Sequence, residues 1–169
     1  MWTPATQLTF SYLYLGIAQG ALETARDYTR TRTRPWPSSG VATATEDPYI
    51  IRTYGEFGID LQAADAAARE AARLLQTTWD AGDAVTQELR GELMVKVSGV
   101  KALATRVSLD ITGRIFEVIF ARGTHPSYGF DRFWRNVRTH TLHDPLAYKI
   151  NEVGRYVLNG TYPTPSFYS

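Results

Sequence analysis

The chain has 169 residues, with 18 basic against 17 acidic side chains and a formal charge of +1. That length suits one domain with a real core, and the near-neutral balance implies no nucleic-acid partner. Cysteine is absent, no apolar run reaches the ~18 residues of a membrane span, and no signal-peptide pattern opens the chain, so no disulfide, thiol nucleophile or membrane is expected and the setting reads as cytoplasmic.

Apolar spacing predicts four helical segments. The first runs from about Gln7 to Thr31, with Leu8, Tyr12, Leu15, Leu22, Ala25 and Tyr28 on one side and Gly16 and Gly20 on a face open to a neighbour. Arg30 to Thr45, with Pro35, Pro37 and Gly40, reads as loop. Asp47-Pro48 then opens a long helix, because aspartate caps free amides and proline suits the first turn. Its stripe is Ile50, Tyr54, Phe57, Leu61, Ala64, Ala68, Ala71 and Leu75, and it ends between Asp80 and Asp83. A third helix opens near Thr86 and carries Leu89, Leu93, Val97, Val100, Ala104, Val107, Ile111 and Val118 as far as Ala121-Arg122-Gly123. Thr124 to Gly129 reads as loop and Phe130 to Val137 as a short helix. The last helix starts at a second Asp-Pro, Asp144-Pro145, and stops at Asn159-Gly160, leaving Thr161 to Ser169 extended and free to dock on a neighbouring subunit. No strand alternation competes. The expected fold is all-α, an up-down four-helix bundle with functional loops at its ends.

The segment Arg135 to Pro145 holds two of the three histidines, and imidazole handles protons near neutral pH. His143, just ahead of the expected Asp144 cap, is either a working acid–base group or a helix-entry histidine bonded to a carbonyl. His140 and His143 form a His-x-x-His pair, but no third ligand supports a metal site, and none is assigned. Fifteen arginines against three lysines favour recognition of phosphate or carboxylate over simple solubility. Arg30, Arg32 and Arg34 alternate at the end of the first helix, where a solvated helix end is the ordinary reading. Arg122-Gly123-Thr124 combines a phosphate-gripping side chain, a permissive backbone and a hydroxyl. The aromatics Trp36, Phe116, Phe120, Phe130, Phe133 and Trp134 read as core or interface.

Several runs carry a resemblance. Gly16-Ile17-Ala18-Gln19-Gly20-Ala21-Leu22 looks like the opening helix of the C-terminal domain of acyl-CoA dehydrogenases. Glu46-Asp47-Pro48-Tyr49, the run Arg90 to Lys101, Ala121 to Pro126 and Tyr128 to Asn136 resemble the dibenzothiophene monooxygenase family, flavin-dependent monooxygenases built on the acyl-CoA dehydrogenase fold. The resemblance implies a single C-terminal helical domain over residues 1–169, with the family's N-terminal helical and middle β-domains absent. It implies reduced FMN delivered by a separate flavin reductase, molecular oxygen as co-substrate, an aromatic organosulfur substrate, and a homo-oligomer, dimer or tetramer. It places His143 beside the flavin's reactive edge as the catalytic residue. Arg34, then Arg32, would meet the flavin phosphate across a subunit boundary, and Arg122, Gly123, Thr124 and His140 would complete the cofactor contacts. Asp144 aligns with the proton-abstracting glutamate of acyl-CoA dehydrogenases, and the change counts against that chemistry with FAD. An acyl-CoA dehydrogenase domain and a non-catalytic helical assembly module are the alternatives.

Overall fold

A computed structural model describes residues 1–169 and contains helices and turns but no strand. Three long helices, α1 (Trp2–Thr31), α2 (Pro48–Asp80) and α3 (Gln87–Arg114), precede a one-turn α4 (Phe116–Ile119) and two shorter helices, α5 (Asp131–His143) and α6 (Leu146–Asn159). α1 begins earlier than its stripe predicts, because Pro4 lies in the first turn, where its missing N–H is no loss. Asp47 caps α2 as expected, accepting from the amides of Tyr49 at 2.9 Å and Ile50 at 3.4 Å. Thr86 does the same for α3 through the Leu89 amide at 3.1 Å.

The packing order is up, down, up, down. Trp2 meets Trp79 edge-to-face at 6.1 Å, while Thr29 at the far end of α1 bonds Tyr54 near the start of α2 at 2.8 Å; α1 and α2 are therefore antiparallel. α3 returns beside α1, so that the Val118 carbonyl just beyond it accepts from Thr29 at 3.2 Å. It is the central helix, with Leu93, Met94, Val97, Ala104 and Ile111 wholly enclosed. The fourth leg is shared. α5 lies along α1, with Phe130 against Tyr28 and His140 against Tyr14. α6 continues in the same direction along α3, where Glu152 accepts from Ser98 at 2.5 Å.

Three expectations need correcting. The stripe of the third helix is not one continuous helix: bonding tightens at Ile115, where the Val118 amide reaches back only three residues, at 3.1 Å. Phe120 then takes φ 57° and ψ −176°, a region that side chains rarely enter. The short helix expected over Phe130 to Val137 continues to His143. Asp144 does not cap α6, which starts at Leu146 with Pro145 at its cap position and no side-chain bond. Proline drives the preceding residue out of the helical region, and Asp144 sits at φ −128°, ψ 96°, with its carboxylate turned inward. His143 is thus the last residue of α5, with no cap behind it.

The tail folds back on its own bundle instead of reaching outward. Thr3 donates to the Ser166 carbonyl at 3.1 Å, Arg90 to the Ser169 carbonyl at 2.8 Å, and Lys149 to the Tyr168 carbonyl. Tyr162 stacks on Tyr156 at 5.1 Å and covers Gly91 of α3.

Candidate functional site

The residues singled out from the sequence fall into two clusters. At the C-terminal end of α1, Arg30, Arg32, Arg34 and Arg122 line a cavity of about 490 Å³ together with Thr43, Thr45 and Tyr128. None of these four guanidiniums meets a carboxylate, whereas Arg52, Arg69, Arg73, Arg114 and Arg135 are all paired. The Arg32 guanidinium instead lies over the Tyr128 ring at 5.7 Å. Beneath it a smaller cavity of about 160 Å³ is shared by Tyr28, Arg32, Arg34 and Arg122. The Tyr28 hydroxyl is buried with no partner at full hydrogen-bond geometry, and burial, with the neighbouring Tyr128 hydroxyl adding, pushes its pKa up, so it remains a neutral donor. Unpaired cations around a buried donor are groups that could hold a phosphate-bearing anion.

The neighbouring turn is less open. Gly123 is buried, and a Cβ there would stand 2.5 Å from Ile119 Cδ1, so Ile119 packing accounts for the glycine. The Thr124 hydroxyl donates to the Ala121 carbonyl at 2.7 Å within the same turn. Arg122 is the member of this trio that faces the cavity.

The second cluster surrounds the break between α5 and α6. His143 is exposed and shares a cavity of about 360 Å³ with Pro145, Tyr148, Lys149, Tyr168 and Ser169. His140 lies one turn earlier, its ring centroid 6.3 Å from that of His143. It is half-buried, packed edge-on to Phe10 at 4.6 Å, and its Nδ1 is 2.7 Å from the Tyr14 hydroxyl. Burial, then the charges of Lys101 and His143, hold His140 below its ordinary pKa. Burial, with the Asp144 charge adding, pushes Tyr14 up to about 12. The phenol therefore keeps its proton, and because Nδ1 is the one hydrogen-bond partner of that hydroxyl, we assign it as donor to Nδ1 with the imidazole proton on Nε2.

Behind the histidines is a group that reading the sequence did not find. Lys101 donates to both Gln7 Oε1 and Asp144, and Gln7 Nε2 donates to the same carboxylate at 2.8 Å. Burial pulls Lys101 below its usual range against the opposing effect of Asp144. Burial pushes Asp144 up, but the bonds from Lys101 and Gln7 outweigh it and leave the carboxyl below its ordinary range. The signal was in the register: Lys101 follows Val97 by four residues and precedes Ala104 by three, so it belongs to the buried stripe. No three or more histidine and carboxylate side chains converge as a metal site.

Tyr14 and Tyr28 mark the two clusters, fourteen residues apart on α1, or about 21 Å of helical rise. His140 and His143 therefore stand well away from Arg32, Arg34 and Arg122 within one copy of the chain.

The family model for the acyl-CoA dehydrogenase C-terminal domain matches residues 8–147. The chain belongs to that family. This acyl-CoA dehydrogenase C-terminal domain is 71% identical over all 169 residues to a dibenzothiophene monooxygenase of Mycolicibacterium goodii and covers 41% of that protein. It is 49% identical over 163 residues, 96% of the chain, to a probable FMNH2-dependent monooxygenase, SfnC, of Pseudomonas putida, again covering 41% of the relative. Among solved structures, the dibenzothiophene monooxygenase TdsC of Paenibacillus sp. A11-2 superposes with a TM-score of 0.95 at 55% identity, covering 99% of this chain and 42% of that one. The complex of TdsC with FMN and indole gives 0.96 at the same identity, covering 99% and 43%. The domain spans less than half the length of these relatives. None of its helices is long and apolar enough to cross a membrane.

Proposed function

We propose that this domain is the C-terminal part of a cytoplasmic, two-component, FMN-dependent monooxygenase that oxidises aromatic organosulfur compounds such as dibenzothiophene to sulfoxide and sulfone. Reduced FMN comes from a separate flavin reductase, and oxygen is the co-substrate. The observation that carries the reading is the cavity of Arg30, Arg32, Arg34 and Arg122, unpaired and set over the buried Tyr28 hydroxyl, in a chain so similar to named monooxygenases.

When bound, the reduced flavin supplies oxygen activation and transfer to sulfur. Arg34 and Arg32 would hold its phosphate, with Arg122 lining the same cavity and Tyr28 offering a further donor; the Gly123–Thr124 backbone shapes the turn that carries Arg122. His143, free on its cavity, holds or delivers a proton at a ring nitrogen. His140 is neutral, pinned by Tyr14, and forms a fixed wall beside it. The two clusters lie farther apart than one FMN reaches from phosphate to ring. This separation supports a homo-oligomer, dimer or tetramer, in which the arginines of one copy and His143 of another serve the same flavin. Exposed Tyr12 and Leu13 on α1 and Ile51 and Ile59 on α2 offer apolar surface for such contacts. The acyl-CoA dehydrogenase alternative is disfavoured because Asp144, at the position of the base, is buried and bonded to Lys101 and Gln7.

The test is a chimera in which this chain replaces the aligned segment of the Mycolicibacterium goodii enzyme. With reduced FMN, oxygen and dibenzothiophene it is expected to form sulfone, while the chain alone, with no other domain to exclude water from the flavin, forms none. A folded, FMN-binding chimera that yields neither sulfoxide nor sulfone refutes the proposal.

A further inference from the structure

Two of the chain's three lysines are buried, and Lys101 stands 1% exposed on the central helix of the bundle. Its three-way contact with Gln7 and Asp144 ties α1 and α3 to the break between α5 and α6. As adhesive the pair is poor: taking two charges out of water costs about as much as their attraction returns, and apolar packing of the same volume is often as stable. What the pair does supply is direction. Pro145 excludes the helical region for Asp144 but leaves a wide extended range open. Anchoring the carboxylate to two other helices selects one conformation within it.

That selection reaches the residue beside it. The rings of His140 and His125 are held by Tyr14 and Ser127. The His143 ring, exposed at the cavity of Tyr148 and Tyr168, makes no hydrogen bond within the chain. Its placement comes from the backbone at the break, and the backbone is held by Asp144.

We propose that Lys101, acting through Asp144 and Gln7, is the positioning residue of the oxygen-transfer site, fixing the α5–α6 break in the conformation that presents His143 to its cavity. This rests on the reading of His143 as the proton-handling group.

The experiment uses the chimera and three variants: His143→Ala, the double change Lys101→Met with Asp144→Leu, and Asp144→Asn. Each is measured for sulfoxide formed per FMN oxidised, hydrogen peroxide released, FMN affinity, and thermal unfolding by circular dichroism. The double variant is expected to keep its fold and FMN affinity while sulfoxide formation falls about 100-fold, the effect of a misplacement of about 1 Å at a reacting group. Hydrogen peroxide replaces the product. Asp144→Asn, which retains an oxygen acceptor for Lys101 and Gln7, keeps most of the product that the double variant loses. If His143→Ala abolishes product and the double variant does not, the positioning role falls and His143 stands. If His143→Ala leaves product formation intact, both readings fall. A double variant that does not fold also overturns the proposal, because the pair is then a stabilising element and not a positioning one. An Asp144→Asn variant that folds and binds FMN but loses as much product as the double variant counts against it as well.

Discussion

Gly91→Ala sets a methyl group against Tyr162, and the outcome turns on which side yields. The new Cβ would lie 2.7 Å from Tyr162 Cδ1 and 2.8 Å from its Cβ. Those atoms sit close to the backbone, so a ring flip does not relieve the overlap and residues around Tyr162 must move. Forcing an extra methylene into a packed site costs about 1–3 kcal/mol. Replacing glycine by alanine inside a helix such as α3 returns about 1 kcal/mol. The tail is the side that yields: the Thr3, Arg90 and Lys149 bonds to its carbonyls, the Ser169 bond to Glu152 and the Tyr156–Tyr162 stack are offset by the cost of ordering its backbone, about 1–2 kcal/mol per residue, so its net hold is small. The Thr3 bond is worth about 0.5–1.5 kcal/mol net and each of the two with a charged donor about 1.5–3 kcal/mol, and Lys149 keeps Glu152 at 2.9 Å when Tyr168 leaves. The expectation is a urea midpoint for the bundle that stays level or rises, with rapid proteolysis of residues 161–169 and loss of the near-ultraviolet signal of the stacked tyrosines. Because Tyr168 and Ser169 wall the His143 cavity, the chimera carrying this change is also expected to make less product. A variant with unchanged proteolysis and unchanged stability would refute the argument, since the methyl would then have met no obstacle.

Two further predictions concern charge. Arg32→Ala, Arg34→Ala and Arg122→Ala in the chimera are each expected to weaken FMN binding by roughly 10- to 100-fold, since a charged hydrogen bond contributes about 1.5–3 kcal/mol. The loss should shrink at high salt, and fluorescence titration showing the original affinity would remove the arginine from the phosphate site. His140 is held below its ordinary pKa by burial and by Lys101 and His143, so the unfolded chain binds the proton more readily. Stability therefore rises with pH through the window just below about 6.5, is fully present above it, and is lost on acidification toward the folded value. His140→Phe is expected to flatten that slope in urea unfolding at about pH 5 against about pH 7.5, and an unaltered slope would assign it to other groups.

Much of this arrangement is written in local chemistry. The stripe from Ile50 to Ala71 and the Asp47 cap place α2 almost to the residue, because one face of a long helix must be apolar and its first amides need a partner. The same dipeptide at Asp144-Pro145 misleads, since a tertiary partner takes the carboxylate; no local pattern announces that Lys101 sits opposite. The gap between the arginines and His143 is equally invisible along the chain, where the Arg122 turn and the histidines are close. Lys101 itself was legible from its register, had the cation not argued against a buried position. The kink at Ile115 and the backbone of Phe120 leave no mark in the spacing, because the apolar positions continue through both.

The apolar cluster that holds the bundle together runs from Leu8 to Phe130 and takes nothing from α6, whose single buried residue is Lys149. Regions with few buried apolar contacts open at lower free energy than the core and do so as units. The amides of α6 and the tail should therefore exchange with solvent through local opening, while those of α2 and α3 wait for global unfolding. His143 stands at the border of these two regimes and the arginine cavity lies wholly on the slow side. Across an assembly, the firm part of one subunit would hold a cofactor against the yielding part of another, so a solvent that loosens only the weaker unit would silence chemistry before it released the ligand.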